Sequence, residues 1–355
     1  METALESGST THAKARGGVG EDMRAAYFRG NEEIELTDVP TPKPGEGEVL
    51  IRVAANGVCG SDRKILRSGF ALIPGHEVAG TVVETGPGSK TLAGARVAAY
   101  IPIHCGECPY CKKGQGNLCP NMKGLLGWAT NGGYAEYMVV PDRNALIMDD
   151  RLSFDEAVIL LDTIGTSGHA LRLSRCWQRA SALILGAGPI GIGALAGMKA
   201  LGVPVVYVSE LSAFRRQQVE ALGGIPIDPT QESLERRIRA DFPYGVEIVF
   251  EAVGSPATIW HSLDLVAPGG TVNLVGEHWG KLELERPKLK WMLNDITAIR
   301  SFYFTIPEFY ENQQMVLEGK LNAKALATHA FPLGDVRAAY DRFAAGDTLK
   351  VMVKP

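Results

Sequence analysis

The second half of the chain constrains the fold most strongly, because short apolar runs alternate there with helical patterns. The alternation begins with SALILG at Ser181 and extends to TAIRSFYF, which starts at Thr297, with a last helix predicted at residues 287–295. Strands that alternate with helices of roughly 10–15 residues are typical of parallel sheets, because a parallel strand is reached only through a crossover. Helices then cover both faces of the sheet. The pattern predicts an α/β domain with a doubly wound parallel sheet.

The first half of the chain has a different pattern, in which short β-like runs are broken by glycine and proline. From Met23 to about Asp150 these runs are MRAAYF, EIELTDVP, EVLIRVAANGV, HEVAGTVVETG, ARVAAYIP and GYAEYMVVP. This composition predicts an antiparallel, β-rich, barrel-like domain. A helical stretch follows, SFDEAVILLDTIGTSGHALRL, for which Ser153 is the expected N-cap. After Ser301 we expect the chain to return to the first domain.

The segment GAGPIG follows the first strand of the predicted parallel sheet and opens the next helix. In this context Gly186 permits a tight turn and Gly188 lets the backbone approach a pyrophosphate. Gly191 lets the helix pack closely on the strand, and the helix N-terminus attracts negative charge. The alternative is a glycine turn without a ligand. We expect a Rossmann-type dinucleotide site that also includes Pro189 and Ile190.

Glu210 ends the second strand of this unit, nineteen residues after Gly191. Its carboxylate is expected to accept a hydrogen bond from a ribose 2′-hydroxyl and to repel a 2′-phosphate, which favours NAD over NADP. Arg215 and Arg216 follow closely and weigh against this preference, because arginines can bind the phosphate.

Four of the six cysteines fall within fifteen positions, in the segment HCGECPYCKKGQGNLC. Disulfides are one interpretation, but a reducing compartment disfavours them. An iron–sulfur site is a second, but the seven-residue gap before the last cysteine fits it poorly. A closed tetrahedral zinc site is the third, and it would stabilise a lobe too short to build its own core. We favour this structural zinc site, with the ligands Cys105, Cys108, Cys111 and Cys119.

Cys59, in VCGSD, and His76, in GHE, are candidates for a second metal site. Each lies in a glycine-flanked turn and is followed by a carboxylate, Asp62 and Glu77, which could accept the second N–H of a metal-bound histidine. A lone cysteine or histidine is more often a core residue. Asp162, however, adds an acid at the end of the apolar run AVILLD. Three such ligands with one position open are typical of catalytic zinc.

In their order along the chain, these motifs resemble the zinc-dependent medium-chain alcohol dehydrogenases, in particular the polyol (sorbitol-type) and threonine dehydrogenase branch. The matching segments are PxPGEGEVLIRV, CGSD, GHEVAGTVVETG, the four-cysteine lobe, GGYAEYMVVP, LLD-x6-HA, GAGPIG, SELSAFRR and PGG. The resemblance implies a GroES-like catalytic domain at 23–158, a Rossmann domain at 159–298 and a C-terminal return at 299–355, with the active site in the cleft between the domains. Residues 1–22 are expected to form a flexible tail.

The resemblance also implies roles for single residues. Cys59 and His76 would bind the catalytic zinc, and Glu77 and Asp162 would either bind it directly or reach it through water. The four cysteines of the lobe would hold the structural zinc. Thr166 falls where a residue contacts the nicotinamide.

The chain departs from the family pattern at three points. Most polyol relatives carry glutamate where this chain has Asp162. Only sixteen residues separate Cys59 from His76, so the loop that shapes the substrate pocket is shortened. Lys64 stands where a relay histidine is often found.

These groups predict a reaction. Zinc would polarise a substrate hydroxyl, Ser61 would pass its proton through the cofactor ribose toward solvent, and the nicotinamide would accept the hydride. The expected substrate is a secondary alcohol: a polyol, sugar derivative or aminocyclitol. A threonine-type or simple secondary-alcohol dehydrogenase is one alternative, and a non-catalytic NAD-binding sensor or scaffold is another. The intact set of Cys59, Ser61, His76 and Asp162 favours an enzyme.

Composition excludes several other classes. The formal net charge of -4 gives no electrostatic reason to expect nucleic acid or an anionic membrane. No apolar run approaches the length of a membrane span, and the N-terminal segment lacks the apolar region of a secretory signal. We therefore expect a cytoplasmic protein, and the resemblance implies a homodimer or homotetramer whose partner is a small alcohol or ketone.

Overall fold

The structure is a computed structural model that describes residues 19–278 and 294–355. Most of the expected N-terminal tail and of the helix predicted at 287–295 lies outside these residues. The strands are β1 (Asp22–Gly30), β2 (Glu33–Pro40), β3 (Glu48–Gly57), β4 (Glu77–Thr85), β5 (Arg96–Ala99), β6 (Tyr137–Pro141), β7 (Ala145–Ile147), β8 (Ser181–Leu185), β9 (Val205–Ser209), β10 (Ile225–Ile227), β11 (Val246–Glu251), β12 (Val266–Leu274), β13 (Thr297–Ile299), β14 (Ala327–Pro332) and β15 (Lys350–Lys354). The α-helices are α1 (Asp62–Ser68), α2 (Pro109–Lys112), α3 (Phe154–Ile159), α4 (Ser167–Leu173), α5 (Pro189–Ala200), α6 (Ala213–Ala221), α7 (Leu234–Asp241), α8 (Pro256–Leu265), α9 (Ile306–Leu317) and α10 (Val336–Ala344).

The strands that alternate with helices form one parallel sheet, as the sequence predicts. Its order is β10-β9-β8-β11-β12-β13, and every neighbouring pair in it is parallel. The sheet therefore grows outward in both directions from β8, which is the strand order of the Rossmann fold. The carboxyl end of β8 lies at the point where the order reverses, and the glycine motif follows it directly.

The remaining strands form a mostly antiparallel sheet and a separate hairpin. The order of the sheet is β14-β15-β3-β4-β5-β7, with β6 paired to β3, and β1 pairs with β2. Of these pairings only β14 with β15 is parallel. The last strands of the chain thus lie beside β3, so groups from both ends of the sequence meet in one sheet.

The helical stretch after Ser153 is interrupted, contrary to expectation. Ser153 does cap α3, through a capping box with Glu156. The backbone then breaks at Leu161, and Asp162–Thr166 form a single π-helical turn before α4 begins. Such turns insert one extra residue and are frequent at functional sites. The turn directs Asp162 away from the regular helical positions.

The two sheets share a core. One cluster of buried apolar side chains contains Ala55 and Ala98 from the antiparallel sheet together with Ile184 and Phe250 from the parallel one. Helix α5 also passes close to the π-helical turn, because a Cβ at Gly193 would lie 1.9 Å from the carbonyl oxygen of Thr163. The helix that follows the glycine motif is therefore held directly against the segment that carries Asp162. Within the described ranges, no helix combines the length and apolar character that a membrane crossing requires.

Candidate active site and zinc lobe

Four potential metal ligands from three parts of the chain meet in one cluster. Cys59 follows β3, His76 and Glu77 stand at the start of β4, and Asp162 belongs to the π-helical turn. One ligand atom from each of the four lies within 4.8 Å of all the others. The antiparallel pairing of β3 with β4 places Gly57 opposite Glu77, so the first two parts are brought together by the sheet.

The distances within the cluster fit a zinc ion. Asp162 Oδ2 lies 3.7 Å from Cys59 Sγ and 3.5 Å from His76 Nε2. Ligands of a tetrahedral zinc at their usual bond lengths are about 3.3–3.8 Å apart. One thiolate, one imidazole and one carboxylate are also the donor types of catalytic zinc sites. The residues present therefore fit the metal that the sequence predicts.

Besides its place in the cluster, Glu77 contacts a buried lysine that the sequence does not indicate as a partner. Lys350, on β15, is 1% exposed and forms an ion pair with Glu77 Oε1, whereas Glu77 Oε2 has no hydrogen-bond partner within residues 19–278 and 294–355. Burial raises the pKa of Glu77 to about 7, and the ammonium of Lys350 opposes this shift. The alternating pattern of the last strand does not mark Lys350 as a buried cation. Its contact attaches one Glu77 oxygen to the protein and leaves the other unpaired.

The face of His76 opposite the cluster contacts Asp62. His76 Nδ1 lies 3.2 Å from Asp62 Oδ1, although the pair is not well aligned as a hydrogen bond. Burial by itself would lower the pKa of His76, but Asp62 and Asp162 raise it well above its ordinary value. Burial would likewise raise the pKa of Asp162, but His76 and then Lys350 lower it. The site thus concentrates negative charge around one imidazole, as a divalent cation would require.

Two hydroxyls complete the immediate surroundings. Ser61 Oγ donates to Cys59 Sγ at 3.3 Å, and Thr166 Oγ1 donates to Asp162 Oδ1 at 3.2 Å. The bond from Thr166 occupies one Asp162 oxygen and leaves Oδ2 facing Cys59 and His76. Thr166 therefore orients an acid of the cluster, and the spacing of four residues between them in the sequence is a signal that could have indicated this contact. The predicted roles of Ser61 in proton transfer and of Thr166 at the nicotinamide stay predictions.

The four cysteines of the lobe also surround one point. Their sulfur atoms are 3.9 Å apart for Cys105 and Cys111, 3.4 Å for Cys108 and Cys111, and 3.9 Å for Cys108 and Cys119. A disulfide needs about 2.05 Å, whereas thiolates about 2.3 Å from a tetrahedral zinc are about 3.8 Å apart. Backbone N–H groups of Cys105, Cys108 and Cys111 point at neighbouring sulfurs, as they would to stabilise thiolates. The lobe therefore fits a closed metal site.

The glycine motif has the geometry of a dinucleotide site. Gly186 has a φ of +90°, which permits the tight turn after β8. A Cβ at Gly191 would lie 1.8 Å from the carbonyl oxygen of Gly186, so only glycine allows α5 to pack this closely. A Cβ at Gly188 would meet nothing within 4 Å, and this open space lies at the N-terminus of α5. Pro189 and Ile190 begin that helix.

Glu210 lies beside this loop, and both of its oxygens bond to the backbone. They accept hydrogen bonds from Ala187 N at 2.7 Å and from Ser212 N at 2.8 Å. Arg216 pairs with Asp228 at 2.7 Å. Arg215 donates from Nε to the carbonyl oxygen of Thr348 at 3.0 Å. Both arginines therefore have partners within the protein.

Comparison with known proteins places the chain in a family. Residues 45–150 match the alcohol dehydrogenase GroES-like domain, and residues 189–318 match the zinc-binding dehydrogenase domain. The chain is 34% identical over 334 residues to an L-threonine 3-dehydrogenase from Pyrococcus horikoshii, a match that covers 90% of this chain and 94% of the relative. The chain belongs to the zinc-dependent medium-chain alcohol dehydrogenases.

Two further matches extend this result. An L-galactonate-5-dehydrogenase from Escherichia coli is 32% identical over 310 residues, which cover 85% of this dehydrogenase and 89% of the relative. The solved structure of alcohol dehydrogenase TADH from Thermus sp. ATN1 superimposes with a TM-score of 0.86 at 28% identity, over 94% of this chain and 99% of the other. The predicted fold, the enzyme class, the nicotinamide cofactor and the two zinc sites are confirmed. The domain boundaries and the roles of single site residues stay predictions.

Proposed function

We propose that this dehydrogenase oxidises a hydroxyl-rich secondary alcohol, such as a polyol, a sugar derivative or an aminocyclitol, with NAD as the hydride acceptor. The observation that carries the proposal is the cluster of Cys59, His76 and Asp162, because three such ligands leave one position of a zinc ion for substrate. The similarity to an enzyme named for the sugar acid L-galactonate supports a hydroxyl-rich substrate. A 3-hydroxy amino acid is the second candidate, because another relative is named L-threonine 3-dehydrogenase.

Each residue of the cluster has a separate role in the proposed reaction. Bound at this site, zinc would supply Lewis acidity to the substrate hydroxyl, and the nicotinamide would supply the hydride acceptor. The metal would be held by Cys59, His76 and Asp162, and the negative charges of the thiolate and the carboxylate would balance its positive charge. Ser61, whose hydroxyl lies 3.3 Å from the Cys59 sulfur, takes the substrate proton and passes it toward solvent. Thr166 keeps one Asp162 oxygen occupied, so that the other faces the site.

The cofactor preference and the assembly belong to the same proposal. Glu210 favours NAD, because its carboxylate stands beside the glycine loop, where a 2′-phosphate would be repelled. The contacts of Arg215 and Arg216 within the protein support this preference, since each guanidinium already has an acceptor there. We further propose a homodimer or homotetramer that works in the cytoplasm. Light scattering on the purified enzyme tests the assembly.

A substrate screen tests the proposed function. Purified enzyme is incubated with NAD, and in parallel with NADP, and with polyols, aminocyclitols, sugar acids, 3-hydroxy amino acids and simple secondary alcohols; formation of reduced cofactor is followed by fluorescence. We expect the highest kcat/KM for a hydroxyl-rich substrate with NAD, and no turnover by a Cys59→Ser control. A clear preference for a 3-hydroxy amino acid would select the second candidate. Preference for a simple alcohol would overturn the substrate class.

A further inference from the structure

Asp62, which lies behind His76, is completely buried and receives an unusual set of donors. Its Oδ2 atom lies 2.8 Å from the hydroxyl of Tyr340, 3.1 Å from the hydroxyl of Tyr134 and 3.4 Å from the backbone nitrogen of Cys59. Among the residues that the structure describes, the polar neighbour of its Oδ1 atom is His76 Nδ1, at 3.2 Å. A buried carboxylate is costly unless hydrogen bonds compensate for its lost hydration. The two tyrosines supply most of that compensation.

The count of hydrogens limits how these groups can bond. The two tyrosine oxygens also lie 2.9 Å from each other, so three short contacts share two hydroxyl hydrogens. Either both tyrosines donate to Asp62, or one donates to the other, which donates to Asp62. In both arrangements Asp62 Oδ2 accepts a hydrogen bond from at least one tyrosine hydroxyl. Oδ1 is then the oxygen that faces His76 Nδ1, at 3.2 Å and not well aligned as a hydrogen bond. This contact favours a proton on Nδ1, which leaves Nε2 free to face the metal ligands.

The fold keeps both hydroxyls as donors in this place. Burial, with Asp62 adding to it, raises the pKa of Tyr134 and of Tyr340 well above the ordinary value, so neither ionises at working pH. The ring of Phe28 packs against both, with centroids 5.3 Å from each. Tyr134 precedes β6, whereas Tyr340 belongs to α10, near the end of the chain. The last helix therefore reaches the back of a metal ligand that lies far from it in sequence.

We propose that Tyr134 and Tyr340 are positioning residues for the catalytic zinc site, and that their hydroxyls hold Asp62 in the orientation that fixes the ring of His76. The inference rests on the proposed function in one respect, because it requires zinc at the cluster of Cys59, His76 and Asp162. Groups that bond to a metal-bound histidine from behind orient the ring and raise its basicity. The two tyrosines do not contact His76 in this way. They bond to Asp62, which is the residue that lies behind the His76 ring. Among the described residues, the hydrogen bonds of the two hydroxyls go to Asp62 and to each other.

Removal of the hydroxyls alone tests the proposal. The variants are Tyr340→Phe, Tyr134→Phe and the double variant, all of which keep the rings against Phe28. Each holoenzyme is exposed to excess EDTA, and the zinc that remains per chain is measured over time, with the four-cysteine zinc as an internal reference. We expect the catalytic zinc of the double variant to leave about ten times faster than in the wild type, within the range for outer partners of zinc ligands. The kcat/KM for the alcohol should fall while the KM for NAD stays unchanged.

Tyr207→Phe is the matched control, because Tyr207 is also buried and also donates to a carboxylate, Asp241, but lies on β9 in the parallel sheet. It should release zinc at the wild-type rate. Unchanged release in all three test variants would overturn the inference, and so would equal acceleration of both zincs, which would indicate a general loss of packing. If the wild type itself holds only the lobe zinc, the proposed function fails instead, so the two failures are distinguishable.

Discussion

At the scale of single residues, the acids of the catalytic centre differ in what else they contact. Asp162 reaches Cys59 and His76 with one oxygen and accepts from Thr166 with the other. Glu77 is bound to Lys350 through one of its oxygens. The charge of Glu77 is already balanced by a buried ammonium, whereas Asp162 Oδ2 lies at the spacing of zinc ligands from both Cys59 Sγ and His76 Nε2. We therefore favour Asp162 over Glu77 as the third zinc ligand.

Replacement of Asp162 by alanine tests this assignment. As a ligand, its loss should strip the catalytic zinc and leave about one ion per chain, because only a thiolate and an imidazole would remain. Zinc is measured by mass spectrometry on the dialysed protein. Asp155→Ala is the control, since this acid pairs with Lys354 outside the cluster and its loss should leave about two ions. An Asp162→Ala protein with two ions and lowered turnover would assign the metal to Glu77.

Glu210 carries the prediction on cofactor choice. Glu210→Gln keeps an oxygen to accept from the backbone of the glycine loop but removes the charge that repels a 2′-phosphate. We expect the ratio of kcat/KM for NADP to that for NAD to rise about tenfold, which corresponds to about 1.4 kcal/mol. Glu220→Gln, an exposed change on α6, should leave the ratio unchanged. A wild-type enzyme that already prefers NADP would contradict the assignment.

At the scale of elements, the cysteine lobe depends on its metal. It contains the four-residue helix α2, which buries none of its residues, so the lobe has little apolar packing of its own. A structural zinc contributes its binding free energy to folding. The cluster that would hold the catalytic zinc lies between elements that are already fixed by the two sheets and their common core.

This difference predicts unequal effects of two cysteine variants. Cys105→Ser should lower the free energy of unfolding by about 4 kcal/mol or more, because loss of a metal belongs to the small class of severe changes. Cys59→Ser should abolish turnover with a much smaller loss of stability. Urea unfolding followed by circular dichroism compares the two proteins. Equal destabilisation would mean that the roles of the two zinc sites are wrongly assigned.

Strand β15 contributes the buried ammonium of Lys350, and replacement of this residue should lower the free energy of unfolding. Lys350→Met leaves the carboxylate of Glu77 buried without its counter-charge, which typically costs about 3–5 kcal/mol of unfolding free energy. Adding Glu77→Gln should recover part of that loss. The control lies on the same strand: Lys354 pairs with Asp155 at a half-exposed site, so Lys354→Met should cost about 1 kcal/mol at most. Similar losses of unfolding free energy in the two variants would show that the buried ion pair contributes no more to stability than the half-exposed one.

At the scale of the whole molecule, the two sheets are joined by packing and by two polar contacts near the cofactor loop. Ser212 Oγ donates to the carbonyl oxygen of Gly346 at 2.8 Å, and Arg215 Nε donates to that of Thr348. The two acceptors lie four and two residues before β15, the strand that carries Lys350. The loop next to the predicted adenosine site is thus attached to the strand beside the catalytic cluster.

Arg215→Met should weaken this attachment. A hydrogen bond from a charged group contributes about 1.5–3 kcal/mol, and we expect a loss of unfolding free energy in that range together with a raised KM for NAD. Arg236→Met, an exposed change on α7, serves as the control and should alter neither quantity. If the free energy of unfolding and the KM for NAD of Arg215→Met both equal those of the wild type, the contact does not hold the domains together.

Those features whose chemistry is local could be predicted from the sequence alone. The four lobe cysteines lie within fifteen positions, so short turns suffice to bring them around one ion. The glycine loop joins a strand to the helix that follows it. Gly186 is required there by its positive φ, and Gly191 by its close approach to the carbonyl oxygen of Gly186, so both requirements arise inside that unit. The parallel pairing of that sheet likewise follows from the alternation of strands and helices, because a parallel strand is reached only through a crossover.

The tertiary structure alone decided which groups stand behind the metal ligands. Lys350 is 273 positions from Glu77, and Tyr340 is 278 positions from Asp62. No periodicity or spacing links residues so far apart, since their contact exists only once β15 and α10 have packed beside β3 and α1. The break that sets Asp162 apart from α3 is similar, because the helical pattern continues through it in the sequence. The sequence therefore identified the candidate ligands, and long-range packing determined the partner of each acid.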